Sequence, residues 1–423
     1  MGGTFTVGLV VLLLFGVPIF VVLLAPVLVT LLTTTSTPPV LVVQRVFSGL
    51  DKFPLMAIPF FILAGTIMAK GGLSKRLIRL ANALVSPLPG GLSMTTVTSA
   101  MFFSAISGSS PATVIAIGKI MLPALEREGY SRAFSVGLLM SSGSLGIIIP
   151  PSIFMIVYGA VTGVSIGALF LAGFGAGLIY GIVFMIVCVL YAKLSNVTAA
   201  TSWDRAEIGM ALRESLWGLA APVIILGGIY GGIFTPTEAA AVAVVYASIV
   251  GVGVYRDMGL RDLATCAVDS AITTAQVMII VAAASAFAWY LTTSGLADGA
   301  RETLEGIGSD PLQILLAANV IVLMAGMFLD PNSIIIIFVP LISSVAIAAG
   351  VDPIHLGVTL AVNAAIGMFT PPFGLNLFVS TGLGVTYSEA IRGSLPFIVA
   401  GLLALAVVTL VPAVTLWLPK LFY

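Results

Sequence analysis

A pair of prolines interrupts an apolar segment that is long enough to cross a membrane. The segment reads GIIIPPSIFMIVYGAVTGVS and runs from Gly146 to Ser165. Each proline removes a backbone donor and clashes with the preceding turn, which costs about 3 kcal/mol in a helix interior. A break here frees backbone carbonyl groups, and at membrane depth these are tolerated only where they face protein or a water-filled cavity.

The composition places this segment in a membrane protein. Hydrophobic residues make up 59% of the 423 positions and charged residues only 8%, with a mean hydropathy of +1.19. Soluble domains carry about 25% charged residues. Apolar windows recur along the chain without strand-like alternation, so helices rather than a barrel are predicted. Pro18 is predicted to be a possible dividing point of the first window.

The sequence also argues against several classes of protein. The 17 basic and 17 acidic residues cancel, so no nucleic-acid partner is predicted. Cys188 and Cys266 are isolated, which predicts no disulfide, and His355, the only histidine, is predicted to lie at the surface near a loop. GGIYGGIF lacks the GKS or GKT ending of a phosphate-binding loop. Without a metal cluster or a nucleophile–base pair, we predict no enzyme, no cofactor and no transition metal.

The proline pair has an echo in the second half of the chain. GMFTPPFGLNLFVSTGLGVT begins at Gly367, 221 positions after Gly146. SGSSPATV around Pro111 is echoed by LDPNSII around Pro331, and KGGLSKRL (70–77) resembles TSGLADGA (293–300). The common order and nearly common offset predict two structural repeats, at about 53–173 and 276–393.

The charges of two equivalent connectors predict the orientation of the repeats. The first connector is basic and carries no acid, whereas the second has one base among acids. A lack of basic residues fits the outer side of a membrane, so the copies are predicted to be inverted, with a parallel repeat as the alternative. The residues concerned are Lys70, Lys75, Arg76 and Arg79 in the first connector, and Asp298, Arg301, Glu302, Glu305 and Asp310 in the second.

Each repeat contains a second interruption. SGSSP (Ser107–Pro111) divides an apolar segment that is either one kinked crossing or a helical hairpin entering and leaving on the same side. The hairpin is predicted because each half is too short to span and basic residues flank its exit. AGMFLDPNSI (Ala325–Ile334) interrupts the equivalent segment, where an unpaired Asp330 would cost several kcal/mol unless a partner neutralises it.

The two proline breaks and the two hairpin interruptions offer groups that can bind ions. Carbonyl groups freed at 146–151 and 367–372, with Ser or Asn oxygens, fit a hard monovalent cation such as Na⁺. The half-helix N-termini near Thr113 and Ser333 fit a carboxylate. A proline kink that serves packing, and hydroxyl groups that bond to their own backbone, are the alternative for any single interruption. Pairing by a repeat favours a binding site.

A further motif, GGIFTPTEAAAVAVVYA (Gly231–Ala247), is explained by helix capping. Thr235, Pro236 and Glu238 occupy the cap, first and third positions of a capping box. A proton-carrying role for Glu238 is the alternative.

The chain resembles the large membrane subunit of TRAP transporters, the tripartite ATP-independent periplasmic transporters of dicarboxylate or sialic-acid type. The resemblance covers essentially all 423 residues, and the combination of motifs is specific although each alone is weak. The motifs that carry it are AIPFFILAGTIM (57–68), SAISGSSPATVIAIG (104–118), GIIIPPSI (146–153), GGIYGGIFTPTEAAAVAVVYA (227–247) and GMFTPPFGLNLFV (367–379).

The resemblance implies a fold and a function. The fold would be an all-α, inverted-repeat elevator transporter, with two re-entrant helical hairpins and two broken helices in a moving domain. The function would be sodium-coupled import of organic acids across a bacterial or archaeal cytoplasmic (inner) membrane. The partners would be a periplasmic substrate-binding protein and a small four-helix membrane subunit, which is expected to be encoded separately because this chain begins directly at its first span.

The resemblance also assigns sites residue by residue. One sodium site would comprise Ser107 and Ser109 with the carbonyl groups of Gly146, Ile149 and Pro151. The other would comprise Asp330 or Asn332 with the carbonyl groups of Gly367, Thr370 and Pro372. Substrate would lie between the hairpin tips near Ser110, Pro111, Ser152 and Asn376.

The predicted organisation divides each repeat into a static and a moving part. Residues 1–52 are predicted as N-terminal scaffold helices, 53–92 and 276–311 as scaffold or arm helices of the repeats, 93–173 and 312–393 as their transport parts, 174–275 as connecting and scaffold helices, and 394–423 as a C-terminal helix. Residues 195–214 are predicted as a short polar connector. A symporter without a binding protein is the nearest rival function, and an ion channel is a remote one.

Overall fold

The computed structural model describes residues 5–422 except 6, 10, 13–14, 35–36, 196, 198–201 and 296–309, and the described residues contain helices and connecting turns without a strand. The helices of the first half are α1 (Ile19–Thr34), α2 (Val40–Leu50), α3 (Ala57–Lys70), α4 (Leu73–Val85), α5 (Gly91–Ser107), α6 (Ser110–Arg127), α7 (Arg132–Gly143) and α8 (Ile153–Thr162). Those that follow are α9 (Ile166–Leu194), α10 (Arg205–Tyr230), α11 (Pro236–Ser248), α12 (Leu260–Thr293), α13 (Pro311–Gly326), α14 (Pro331–Ala348), α15 (Pro353–Gly367), α16 (Leu375–Thr381), α17 (Tyr387–Leu410), α18 (Ala413–Leu416) and α19 (Pro419–Phe422).

Both predicted hairpins and both predicted helix breaks are present. Helices α5 and α6 pack against each other and are joined at Gly108 and Ser109, and α13 and α14 form the equivalent pair. The first break separates α7 from α8, with a 3-10 turn at Ser144–Ile147, and the second separates α15 from α16. The Pro150–Pro151 and Pro371–Pro372 peptide bonds in these breaks are cis.

The two broken helices run in opposite directions. At one end of the molecule, the hydroxyl of Tyr158, late in α8, donates to the carbonyl of Pro353 at the start of α15. At the other end, Arg132 at the start of α7 donates to the carbonyl of Gly384, which follows α16. The end of each broken helix therefore lies beside the start of the other, which confirms the inverted repeat.

The helices form two packed units. We call α5–α9 and α13–α18 the core unit, because the hairpins, the breaks and the long helices α9 and α17 pack on one another. We call α1–α4 and α10–α12 the frame unit, in which α12 packs along α1, α2 and α3. The units meet mainly where α3 and α4 contact α5 and where α12 contacts α14.

Helix boundaries differ from the predicted segments at several points. Helices α9, α12 and α17 run across positions 173, 275 and 393, and α10 begins at Arg205 within the predicted polar connector. The residues around Pro18 are non-helical, so this proline does divide the first apolar window. Residues 298–305 of the second connector, which carry most of its charges, lie outside the described residues.

Seven of the described helices are long and apolar enough to cross a membrane.

The capping box at Thr235 is present, because the Thr235 hydroxyl accepts a hydrogen bond from the Glu238 backbone while the Glu238 carboxylate accepts one from the Thr235 backbone. The surface position predicted for His355 is wrong. Its side chain is 2% exposed, because Asp352 caps α15 and the imidazole packs against α18, with Nδ1 2.8 Å from the Thr415 hydroxyl.

Candidate functional site

The tip of the first hairpin lies directly against the first helix break. Gly108 has a φ of 57°, and a Cβ atom at this position would lie 2.5 Å from the carbonyl oxygen of Pro151. A Cβ on Gly146 would lie 2.7 Å from the carbonyl oxygen of Ser109. Glycine alone permits such close approach of two backbones. The structure therefore brings Ser109, Gly146 and Pro151 close together.

Hydroxyl groups at this tip are linked to one another. The Ser107 and Thr113 hydroxyl oxygens lie 3.1 Å apart, and the Thr113 hydroxyl lies 2.8 Å from the Ser109 carbonyl, to which it donates. The carbonyl groups of Ile149 and Pro151 accept no hydrogen bond from any described residue. Buried carbonyl groups are rarely left without a partner, so this break has oxygen ligands to offer a cation.

The second hairpin tip contacts the second break in the same manner. The Phe373 backbone donates to the Met327 carbonyl at 3.0 Å. A Cβ on Gly367 would lie 2.7 Å from the Cα of Gly326, so the backbones again touch through glycine. The Asn376 backbone donates to the Met368 carbonyl at 2.7 Å, which folds the chain back after the proline pair.

The three carbonyl groups predicted for the second sodium site already have protein partners. The carbonyl of Gly367 accepts from the Thr370 backbone and that of Thr370 from the Gly374 backbone, each at 3.2 Å. The carbonyl of Pro372 accepts from the Tyr387 hydroxyl. In this conformation, protein groups therefore occupy acceptor positions on the predicted carbonyl ligands of the second break, whereas the carbonyl groups of Ile149 and Pro151 at the first break accept no hydrogen bond from the described residues.

Asp330 caps α14 at the second tip. One carboxylate oxygen accepts from the backbones of Asn332 at 3.0 Å and Ser333 at 3.2 Å, and the other accepts from the Ser333 hydroxyl. These bonds explain the half-buried carboxylate without a basic partner. An ionised carboxylate offers about four acceptor positions, so at least one remains for a cation.

Only two of the four predicted substrate residues line a large cavity. These are Ser110 and Pro111, and Ser110 is itself wholly buried, as are Ser152 and Asn376. Ser152 caps α8 and donates to the Ile147 carbonyl at 2.6 Å. The amide nitrogen of Asn376 donates to the Ser110 hydroxyl at 2.9 Å and to the Met140 carbonyl at 2.8 Å. Asn376 thus joins the first tip to the second broken helix.

The cavity has a volume of about 1330 Å³ and lies between the two units. Its core wall is formed by both hairpin tips, including Asp330 and Asn332, and by one face of α6. Its frame wall is formed by α3, α4 and α12. Ligand pockets commonly measure about 300–1,000 Å³, so the space is ample for a small organic molecule with water.

The cavity extends to one end of the molecule. Its lining includes the basic connector residues Lys70, Lys75, Arg76 and Arg79. Three of these are held by acids of the frame unit, because Lys70 pairs with Asp262 at 3.1 Å, Arg76 with Asp257 at 2.5 Å and Arg79 with Glu214 at 2.6 Å. The pKa of the Arg79 guanidinium is raised by its hydrogen bonds to Glu207 and Glu214. The two acids therefore hold this charge at the cavity mouth.

The opposite end is bridged by contacts between the two units. The Lys52 ammonium of the frame donates to the Ala160 carbonyl of α8 at 2.9 Å. The large cavity therefore reaches the end with the basic connector, whereas a contact between the two units lies at the other end.

Sequence reasoning missed the frame wall of the cavity. Asp269, Thr273 and Gln276 line it from α12. Their spacing of four and three residues places them on one helix face, which is the signal that would have identified them inside an otherwise apolar helix.

The chain contains two inverted copies of a hairpin and a broken helix, and both hairpin tips line a cavity between two helical units. This arrangement defines an inverted-repeat membrane transporter fold. The chain belongs to the family described as "Tripartite ATP-independent periplasmic transporter, DctM component", whose sequence model matches residues 6–414.

Several curated relatives extend this assignment. The chain is 44% identical to the C4-dicarboxylate TRAP transporter large permease protein DctM of Pseudomonas aeruginosa, over 89% of this chain and 88% of the relative. It is 40% identical to the isethionate TRAP transporter permease protein DctMQ of Oleidesulfovibrio alaskensis, over 98% of this chain and 65% of the relative. It is 35% identical to the sialic acid TRAP transporter large permease protein SiaM of Vibrio cholerae, over 97% of this chain and 96% of the relative.

A solved structure shares the fold at low sequence identity. The YdaH transporter of Alcanivorax borkumensis, described as having an unusual topology, superposes with a TM-score of 0.57 at 14% identity. The match covers 96% of this chain and 97% of the YdaH chain. At this identity the likeness concerns the fold alone.

Proposed function

We propose that this permease imports small organic acids together with sodium ions, by an elevator movement of the core unit against the frame unit. The observation that carries the proposal is the contact between each hairpin tip and a helix break. There, two glycine-mediated contacts join hairpin tips to helix breaks, and the carbonyl groups of Ile149 and Pro151 lack partners among the described residues. Oxygen ligands of this kind suit a hard monovalent cation.

The proposed substrate class follows from the relatives and from the tips. The relatives described above are named for C4-dicarboxylate, isethionate and sialic acid. Each of these is an organic anion. The N-terminus of α6, which begins at Ser110 beside the cavity, carries a partial positive charge that suits an anion.

Sodium supplies the driving force in this proposal. Moving one charge against the membrane potential costs about 2.3 kcal/mol per 100 mV. An anion that enters a negative-inside cell is opposed by that amount per charge, so an excess of co-transported Na⁺ reverses the sign of the work. Sodium ions at the tips also screen the acid from the apolar interface that it crosses.

The proposed partners and location come from the family. A periplasmic binding protein would deliver the acid, and a small four-helix membrane subunit would support the frame unit. The fused name DctMQ of one relative is consistent with a second membrane component. The location would be the cytoplasmic (inner) membrane, with the basic connector and the open end of the cavity facing the cytoplasm.

The test is uptake into proteoliposomes that contain this chain and its small subunit. C4-dicarboxylate, isethionate and sialic acid are offered with their binding proteins, with or without an inward sodium gradient. We expect uptake of at least one acid that saturates, needs the binding protein and depends on the gradient. Uptake without the binding protein would favour the simpler symporter, non-saturating flux would favour a channel, and sodium-independent accumulation would contradict the coupling.

A further inference from the structure

The charges of the large cavity are unevenly paired. Nine charged side chains of described residues line it, and most are held locally. Lys70 pairs with Asp262, Arg76 with Asp257, Arg79 with Glu214, and Asp330 caps α14. Lys75, Lys119 and Asp269 have no ion-pair partner among the residues that the structure describes.

Lys119 and Asp269 lie on opposite walls of the cavity, each about two turns or more from one end of its helix. Lys119 is on α6 in the core unit, eight residues before the end at Arg127, which corresponds to about 12 Å of helix. Asp269 is on α12 in the frame unit, nine residues after the start at Leu260, or about 14 Å. Lys75, by contrast, lies only two residues into α4, close to the mouth.

Alternating access requires this cavity to close in the outward-facing state. Water then leaves the space between the walls, and an isolated charge that stays behind is costly in a membrane interior. Lys75 can remain in water at the mouth, whereas Lys119 and Asp269 cannot both do so.

We propose that Lys119 and Asp269 form an ion pair across the closed cavity in the outward-facing state, and that this pair acts as the inner gate. The inference rests on the proposed elevator function. In the inward-open conformation both charges are solvated by the cavity. In the closed conformation each neutralises the other, so one gate residue moves with the core while the other stays on the frame.

Charge exchange tests the pair. Lys119→Asp and Asp269→Lys are each expected to lower uptake at least tenfold, because closure then buries like charges. The double variant is expected to recover to within about threefold of the unmodified protein. A double variant no better than the weaker single variant would overturn the proposal.

A matched variant separates pairing from overall charge. Lys75→Asp makes the same substitution in the same cavity, near the mouth. Combined with Asp269→Lys, it is expected to give no recovery over Asp269→Lys alone. Equal recovery in both combinations would mean that only the net charge of the cavity matters, and the proposed pair would be wrong.

Cross-linking provides a readout that does not depend on transport. With Cys188 and Cys266 replaced by alanine, Lys119→Cys with Asp269→Cys is expected to form a disulfide on oxidation, whereas Lys75→Cys with Asp269→Cys is not. The band is scored on a gel without substrate, so it remains readable even if no acid is taken up. Failure of the unmodified protein to transport would count against the proposed function, and absence of the disulfide would count against the gate.

Discussion

The two helix breaks are related by the repeat, yet their backbones are satisfied differently. At the first break, the carbonyl groups of Ile149 and Pro151 accept nothing from the described residues. At the second, the carbonyl of Pro372 accepts from the Tyr387 hydroxyl and that of Thr370 from the Gly374 backbone. A duplicated motif therefore need not give two equivalent sites, because side chains outside the motif decide which ligands are free.

This difference suggests an order of events. In the proposed mechanism, the first break can bind sodium in this conformation, whereas the second must first exchange protein hydrogen bonds for a cation. We therefore expect the second site to release sodium more readily to the cytoplasm.

The largest effect is expected at the contact between the first tip and the first break. Gly108→Ala places a methyl group where the Pro151 carbonyl oxygen lies 2.5 Å away, so the tip must separate from the break. We expect sodium-driven uptake to fall at least tenfold, measured at equal amounts of inserted protein.

Gly129→Ala is the matched control for Gly108→Ala. Gly129 also has a positive φ, of 87°, but a Cβ there meets nothing within 4 Å. It carries the backbone cost without the collision, so uptake should change by less than about threefold. If both variants behave alike, strain rather than the tip contact explains the result.

The charge at the second tip is expected to matter next. Asp330→Asn retains a good helix cap but removes the carboxylate charge. The sodium concentration for half-maximal uptake should rise by about tenfold, which corresponds to about 1.4 kcal/mol of lost cation binding. Asp352→Asn makes the same exchange at the N-cap of α15, and it should leave sodium dependence unchanged. Unaltered sodium dependence in Asp330→Asn would remove this residue from the site.

Removal of the Tyr387 hydroxyl, which donates to the Pro372 carbonyl in the second break, is expected to change the half-saturating sodium concentration by a smaller amount and in the opposite direction. Tyr387→Phe frees the Pro372 carbonyl, and one such hydrogen bond is worth about 1 kcal/mol. The half-saturating sodium concentration should fall about fivefold in the uptake assay. Tyr246→Phe removes a similar bond, to the Trp217 carbonyl in the frame unit, and should have no such effect. A rise in Tyr387→Phe would show that the tyrosine supports the site instead of competing for it.

The smallest effect is expected at the hydroxyl chain of the first tip. Thr113→Val removes the bond to the Ser109 carbonyl but keeps the shape of the side chain. The half-saturating sodium concentration should increase about threefold, because the tip loses order without losing a carbonyl ligand. Thr98→Val, which removes a bond to the Met94 carbonyl within α5, serves as the control. A tenfold effect of Thr113→Val would indicate that this hydroxyl is itself a ligand.

The sequence was sufficient to predict the hairpins, the breaks and their inversion, because proline and glycine act locally and the charge of a connector is visible in the chain. It could not predict which carbonyl groups are free. That depends on partners that are distant in sequence or geometry, such as Tyr387 at the second break. The burial of His355 was missed for the same reason, since its partner Thr415 lies on a short helix 60 positions away.

The predicted substrate residues divide along similar lines. Ser110 and Pro111 begin α6 beside the cavity, although Ser110 is buried and accepts a hydrogen bond from Asn376. Ser152 and Asn376 are also buried and donate hydrogen bonds to the carbonyl groups of Ile147 and Met140. A polar residue in a break can support the site or face the ligand, and only the three-dimensional packing distinguishes the two.

Thermal unfolding of the purified protein in sodium or potassium chloride at equal ionic strength tests the central claim most directly. A cation that binds only the folded state at 100 times its Kd adds about 2.7 kcal/mol to the free energy of unfolding. We predict a higher Tm in sodium chloride, with most of the difference lost in Gly108→Ala and kept in Gly129→Ala. Identical Tm values for the unmodified protein in the two salts would contradict sodium binding at the interrupted helices.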